Sequence, residues 1–203
     1  QGDGKIAPNM RDYVVKQIKD NVIPTLERIS GVKFDIDRLR EYMRESQKAE
    51  ENLVRVLQAG KHRPSPIDGY FGGVYYIEPI FTAFRGTPEA THFYDVLWSE
   101  VEARMRDGKG PITPEGEITE EKFRLVVEGP PNWTNFRDFW KMFYDEGAVV
   151  VASTYSKVGG VYDFGFRHNP DRPLESLAEY CLGCYTNLNF PQRIDMICRY
   201  LED

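Results

Sequence analysis

Between Lys122 and Thr154 the sequence reads as strand, tight loop, helix and strand, and this order constrains the fold more than any other stretch. Phe123 to Val127 is a short apolar run with β-branched residues. Gly129, Pro130 and Pro131 end it, because two successive prolines remove two ladder donors. Phe136, Phe139, Trp140 and Phe143 then recur at helical spacing, Gly147 ends that helix, and Ala148 to Val151 is a second buried strand. A strand, a crossover helix and a strand make a βαβ unit, whose strands run parallel. Ligands of such units sit outside the carboxyl ends of the strands. The expected site is therefore the loop Gly129 to Trp133 together with Thr154 to Gly160.

Parallel sheets are buried on both faces and usually have more than two members. A last helix starts near Asn189-Phe190-Pro191 and should feed a third strand, which the sequence does not contain. The expectation is an internal piece of a longer protein. The alternative is that Gly72 to Tyr76, or another early segment, supplies a further strand.

Upstream, the chain reads as helical to about Gly110. Pro8 and Asn9 open a helix that Pro24 should kink or end. Asp35 or Asp37 can cap the next helix, with an apolar stripe of Leu39, Tyr42, Met43, Leu53, Val56 and Leu57. The charges from Arg38 to Glu51 read as its solvated face. Pro64, Pro66 and Gly69 mark a loop, and the apolar segment Gly72 to Phe84 leans towards helix. Thr87-Pro88 is a helix start, and Ala90, Phe93, Leu97, Val101 and Met105 form the expected buried face. Asp107 to Glu117, rich in Gly and Pro, is the best boundary. The fold class expected is α/β. A helical segment, residues 1–110, precedes a partial α/β domain, residues 111–203, holding part of a Rossmann-like parallel sheet.

A net charge of −6 and a pI near 5.2 argue against a nucleic-acid partner. No apolar run approaches the roughly 20 residues of a membrane span. Three cysteines are an odd count, which favours free thiols in a reducing cytoplasm over a disulfide framework.

Several motifs carry chemistry alongside plainer readings. Cys181-Leu-Gly-Cys184 has the spacing of a thiolate pair for zinc, an iron–sulfur cluster or redox exchange, but a zinc site needs two more ligands. Cys198 fits the apolar stripe of the last helix, with Ile194, Ile197 and Leu201, and reads as core. His168, beside Arg167 and Asn169, reads as a surface histidine. In Glu128-Gly-Pro-Pro-Asn-Trp133, Pro130 stiffens the loop and the following helix start offers N–H groups to an anion. Trp133 adds a flat apolar face. The plainer reading is a rigid turn with Asn132 or Thr134 as cap. Tyr155-Ser156-Lys157 takes the matching position after the second strand, where a hydroxyl and an ammonium can meet a carbonyl or a phosphate.

Three stretches resemble one family: Arg124-Leu-Val-Val-Glu-Gly-Pro-Pro131, the spacing from it to Phe143-Tyr-Asp-Glu-Gly-Ala-Val-Val-Val151, and Asn189-Phe-Pro-Gln-Arg193-Ile194. They are similar to the cluster-bearing subunits of benzoyl-CoA reductase and the 2-hydroxyacyl-CoA dehydratases, and most similar to the reductase branch and its larger cluster subunit. The resemblance covers the chain loosely before residue 110 and well after it. It implies two similar α/β domains per subunit, a 4Fe–4S cluster held by cysteines, and a CoA-thioester substrate bound near it. It also implies a hetero-oligomer with a homologous cluster subunit and electron-activating subunits that use ATP and ferredoxin. The implied reaction is reduction of benzoyl-CoA to a cyclic dienoyl-CoA in anaerobic aromatic degradation. Under that resemblance Trp133, Tyr155, Ser156, Lys157, Pro130 and Asn132 are the expected substrate-binding residues. Cys181 and Cys184 are the candidate metal ligands, although the family's cluster cysteines fall outside this sequence. Two other readings stand beside it: a 2-hydroxyacyl-CoA dehydratase subunit, and a non-catalytic interaction module.

Overall fold

A computed structural model describes residues 6–77, 79, 84–113, 116–118, 120–157 and 166–202. Helix α1 (Pro8–Gln17) opens with proline at its first turn, where the missing N–H costs nothing. Pro24 then acts as expected, in an unusual way. The helix widens into a π-helical turn, Ile18–Val22, with Ile23 N–H bonded back to Ile18 O, and resumes as α2 (Ile23–Ser30). Gly31, at φ 72°, ends it and donates to Glu27 O at 2.8 Å.

Helix α3 (Ile36–Gln58) is capped by Asp35, whose Oδ1 accepts from Asp37 N and Arg38 N at 2.8 and 3.2 Å. Helix α4 (Gly69–Tyr75) is likewise capped by Asp68. Gly72 to Tyr75 is thus helix and not strand; residues 78 and 80–83 of that apolar segment lie outside the described residues. Thr87 Oγ1 accepts from Ala90 N and starts α5 (Pro88–Arg106).

The buried side of α5 differs from expectation. Tyr94, fully buried, takes the place given to Phe93, which is largely exposed. The burial runs Ala90, Tyr94, Leu97, Val101, a spacing of four, three and four that follows the helix period. Tyr94 OH donates to Tyr76 O at 2.6 Å, so its polar tip is satisfied inside the core. Leu53 and Val54 of α3 pack against it. Truncating Leu53 there removes about 2–5 kcal/mol.

Within the connector, Ile112–Thr113 (β1) and Gly116–Glu117 (β2) pair as a small antiparallel hairpin. The βαβ unit follows as read: β3 (Phe123–Val127), α6 (Phe136–Tyr144) and β4 (Ala148–Ser153), with β3 and β4 parallel. The register shifts between Leu125 and Val126, so Val126 pairs with Ala152. Helix α6 lays Trp140 and Tyr144 on the sheet against Val149 and Val150. Tyr70 of α4 stacks on both Phe136 and Trp140, ring centroids 4.8 Å apart in each case. Such pairs contribute about 0.5–1.5 kcal/mol each beyond burial.

Among the described residues the parallel sheet has two strands, and its outer edge is not bare. The segment 60–69 lies flat against β4. Asp68 Oδ2 accepts from Val150 N at 3.1 Å. A Cβ on Gly60 would fall 2.2 Å from Val151 O, so only glycine permits this approach. An early segment therefore covers the edge, as a loop rather than as a strand. Burial first pushes the Asp68 carboxyl up to about 6, against the pull of the Val150, Tyr70 and Phe71 N–H groups.

Helix α7 (Pro173–Gly183) packs Leu174 and Ala178 on Val15 of α1. The final helix, α8 (Phe190–Glu202), corrects a second expectation. It buries Met196, while Ile194, Cys198 and Leu201 are exposed, so Cys198 is not a core residue. The architecture is helical layers on a short parallel sheet, an α/β arrangement. No described helix is long and apolar enough to cross a membrane.

Candidate functional site

The carboxyl ends of β3 and β4 are joined by a bond from backbone to side chain. Gly129, at φ 90°, turns the chain out of β3, and its N–H donates to Thr154 Oγ1 at 3.0 Å. Thr154 opens a 3₁₀ turn, Thr154–Lys157, that ends β4. Pro130 is exposed, Pro131 is buried, and Asn132 N donates to Tyr70 OH at 3.2 Å. Trp133 begins a second 3₁₀ turn, Trp133–Asn135, and is 55% exposed. Its ring stacks on Phe136 at 5.8 Å and meets the edge of Tyr155 at 5.8 Å and 69°. The two loops named from sequence thus bring Trp133 and Tyr155 together as an open aromatic corner.

The other expected residues are placed differently. Asn132 and Asn135 make no side-chain cap to the helical turns that follow them, so the first N–H groups of α6 are not taken by a cap. Asn132 Oδ1 instead accepts from Thr134 Oγ1 at 3.3 Å. Ser156 is buried and donates to Ser153 O at 2.6 Å. The Lys157 side chain and Gly159-Gly160 lie outside the described residues.

Two polar clusters escaped the sequence reading. In the first, Tyr185 OH donates to Glu128 Oε1 at 2.6 Å, beside Thr154. Burial first, and then Glu128, push the Tyr185 phenol up. Arg193 lies over the Tyr185 ring at 5.1 Å and donates to the carbonyls of Thr186 and Leu188, fixing the turn before α8. The second cluster centres on Glu50, 0% exposed on α3. Arg85 Nη2 donates to Glu50 Oε1 at 3.0 Å, His168 N donates to Oε2 at 3.0 Å, and the His168 ring Nδ1 also meets Oε1. Burial alone would raise the Glu50 carboxyl, but His168 and Arg85 outweigh it and hold the group below its ordinary range.

His168, read as a surface residue, is therefore buried at 3% exposure. It also packs against Tyr180, and Arg85 donates to Tyr180 OH at 2.8 Å. A signal for this cluster was present: Glu50 sits seven residues after Met43 and three before Leu53, on the buried side of α3. Tyr155 and Tyr180 pack against the same buried cluster around Leu53 and Tyr94.

Cys181 is exposed near the end of α7, and Cys184 is its C-cap, with Sγ 3.3 Å from Thr186 Oγ1. Burial of the sulfur and the neighbouring Cys184 push the Cys181 thiol up, with Arg85 opposing weakly. A helix C-terminus also disfavours an anion. Four-iron clusters are held by four thiolates, and Cys198 stands exposed on another helix. Among the described residues no three His, Cys, Asp or Glu are grouped to hold a metal. The described residues do not by themselves fit an iron–sulfur cluster.

Helical layers on a βαβ unit, with an aromatic corner at the carboxyl ends of its strands, define an α/β protein. The chain belongs to the 2-hydroxyglutaryl-CoA dehydratase D-component family, whose match runs over residues 3–203. It is 68% identical over 203 residues to one of the subunits of the benzoyl-CoA reductase of Thauera aromatica, a match covering the whole chain and 47% of that protein. It is 31% identical over 142 residues to the (R)-phenyllactyl-CoA dehydratase alpha subunit of Clostridium sporogenes, covering 70% of this chain and 33% of that one. With (R)-2-hydroxyglutaryl-CoA dehydratase subunit alpha of Acidaminococcus fermentans the identity is 25% over 157 residues, 77% of this chain and 30% of the relative. The chain thus spans about half the length, or less, of these curated relatives.

Proposed function

We propose that the chain is part of a benzoyl-CoA reductase subunit, acting in a complex that reduces benzoyl-CoA to a cyclic dienoyl-CoA in anaerobic aromatic degradation. The observation that carries this is 68% identity along the whole chain to a reductase subunit, against 31% and 25% over shorter stretches to dehydratase subunits. Every relative named above is a subunit of an enzyme acting on a CoA thioester, which supports the enzyme reading over the interaction module. In the full-length protein a 4Fe–4S cluster would supply low-potential electrons, with ligands other than the residues described. ATP hydrolysis by partner subunits and ferredoxin as donor complete the complex, and free thiols favour the cytoplasm.

Under this reading the present residues bind and orient. Trp133 and Tyr155 take the flat acyl ring between a stacking face and an edge, within the geometry aromatic pairs prefer. The uncapped N–H groups at the start of α6 face the polar end of the thioester, with Pro130 and Asn132 at the rim and Ser156 behind the turn. Lys157 follows Tyr155 and Ser156 on the same loop and adds a cation there. The turn that carries Trp133 is held by the Gly129–Thr154 bond and by Tyr70, so its position is fixed before a ligand arrives.

A 2-hydroxyacyl-CoA dehydratase subunit is the second reading, favoured by the family match itself. The full-length complex, purified without oxygen and offered benzoyl-CoA and an (R)-2-hydroxyacyl-CoA in parallel, separates the two. Dienoyl-CoA formation supports the reductase. An enoyl-CoA from the hydroxy substrate, with benzoyl-CoA left intact, overturns it.

A further inference from the structure

The segments Arg124 to Pro131 and Asn189 to Ile194 meet through one side chain that belongs to neither, Tyr185. Asn189 and Gln192 start α8 with a reciprocal cap. Asn189 Oδ1 accepts from Gln192 N, and Gln192 Oε1 accepts from Asn189 N, at 3.0 Å each. One residue on, Arg193 reaches back to the carbonyls of Thr186 and Leu188 and lies over the Tyr185 ring. Asn187 N adds a bond to Cys184 O at 2.8 Å. The 3₁₀ turn Tyr185–Asn187 is thus held from both sides, and it delivers a buried phenol to the ends of β3 and β4.

At those ends the hydrogen bonds run in one direction. A threonine hydroxyl has one proton to give and can accept as well. Thr154 Oγ1, fully buried, accepts from Gly129 N at 3.0 Å, and Thr154 and Tyr185 share a side-chain hydrogen bond. The Tyr185 proton goes to Glu128 Oε1 at 2.6 Å, so the proton between Thr154 and Tyr185 comes from Thr154. Gly129 N–H, Thr154 O–H and Tyr185 O–H therefore form a chain of three donors pointing at one carboxylate. Each bond in such a chain polarises the next, and a charged acceptor makes the last one the strongest. Burial first, and then Glu128, push the phenol up, so its proton stays available to the carboxylate. The chain spans the two strands: Glu128 and Gly129 follow β3, and Thr154 follows β4. Tyr155 is the residue after Thr154, and Trp133 lies four beyond Gly129. The bonds fix the backbones that carry the aromatic corner.

We propose that Tyr185 is a positioning residue that sets the preference of the corner for a flat aromatic acyl group. This rests on the reading of the chain as part of a benzoyl-CoA reductase subunit. A ring held between a stacking face and an edge gains most where the two stand at a set angle and spacing. Trp133 and Tyr155 stand at 69° and 5.8 Å on loops of separate strands, and the Tyr185 hydroxyl bonds to the residue that starts each loop. Without that hydroxyl the loops can drift, and an arriving ligand must supply the ordering itself. Tyr185 is buried and acts through Thr154 and Glu128.

The test is calorimetric titration of the full-length, anaerobic complex with benzoyl-CoA and with CoA. In wild type benzoyl-CoA should bind the more tightly, and the ratio of the two affinities measures the hold on the ring. Tyr185→Phe keeps the ring over Arg193 and removes the hydroxyl. It should cut that ratio roughly tenfold by weakening benzoyl-CoA, with CoA unchanged. KM for benzoyl-CoA should rise by a similar factor, with a smaller change in kcat. Glu128 is exposed, so its variants leave the core intact. Glu128→Ala should repeat the loss, and Glu128→Gln, which keeps an acceptor for the phenol, should restore most of the ratio. A wild-type ratio in both Tyr185→Phe and Glu128→Ala would overturn the proposal and leave the reductase reading standing. An equal loss for both ligands would also overturn it, because a merely structural role weakens the two alike. A wild-type complex that binds benzoyl-CoA no better than CoA overturns it too, and one that binds no benzoyl-CoA takes the reductase reading with it.

Discussion

Replacing Glu50 by alanine removes the anion between Arg85 and His168, at a position with no solvent to compensate. Breaking a buried ion pair from one side costs about 3–5 kcal/mol. Because the cluster ties α3 to the segment entering α7, the loss should appear as local opening there. At about 1.4 kcal/mol per factor of ten, amides in residues 46–54 and 166–180 should exchange with deuterium faster by roughly two to three and a half orders of magnitude. Glu50→Gln keeps two acceptor–donor contacts of similar shape and should cost less, about 1–3 kcal/mol. The pH dependence has a defined sign. Glu50 is held below its ordinary value, so its contribution is full above the unfolded pKa and is lost as pH falls through the folded one. Protection in wild type should therefore decline in acid through this group, and in Glu50→Gln that component should be absent. Wild-type exchange rates in Glu50→Ala would show that the cluster is not what holds these elements together.

Three further outcomes follow from named contacts. The Asp68 carboxyl is raised to about 6, so its ionisation weakens the fold as pH rises from about 4 through 6; two units amount to roughly 3 kcal/mol. Protection of α4 amides in Asp68→Asn, relative to wild type, should improve by that order between pH 4 and 7, and no relative change would contradict the assignment. Gly60→Ala places a Cβ against Val151 O and should open the edge of β4, seen as faster exchange at Val150 and Val151; a well-protected edge would refute the close approach. Trp133→Ala removes one wall of the aromatic corner, worth about 1 kcal/mol, and should raise KM for benzoyl-CoA several-fold with a smaller change in kcat. Unchanged kinetics would take Trp133 out of the site.

The βαβ unit was legible because its signals are local: two prolines after a β-branched run, aromatics at a helical period, a glycine before the next strand. Caps at Asp35 and Thr87 and the disturbance at Pro24 were legible for the same reason. What failed depends on partners distant in sequence. The choice between Phe93 and Tyr94 is a rotation of one residue, settled by Leu53 and by the Tyr76 carbonyl waiting for a hydroxyl. The period of α8 showed an apolar face but not that Met196, rather than Ile194 or Leu201, would turn inward. His168 looked superficial because its neighbours are polar, and its carboxylate partner lies 118 residues earlier. The site was half legible. Trp133 and Tyr155 meet as their loops suggested, whereas Glu128 and Tyr185 come together only when the turn before α8 folds across the end of β3.

The most direct test of the central claim is the ratio of ATP hydrolysed to product formed by the full-length complex with benzoyl-CoA and reduced ferredoxin. Ring reduction needs driving force at every cycle, so the reductase reading predicts a fixed amount of ATP consumed for each dienoyl-CoA released. Turnover of a 2-hydroxyacyl-CoA with many products per ATP, and no dienoyl-CoA from benzoyl-CoA, would contradict it.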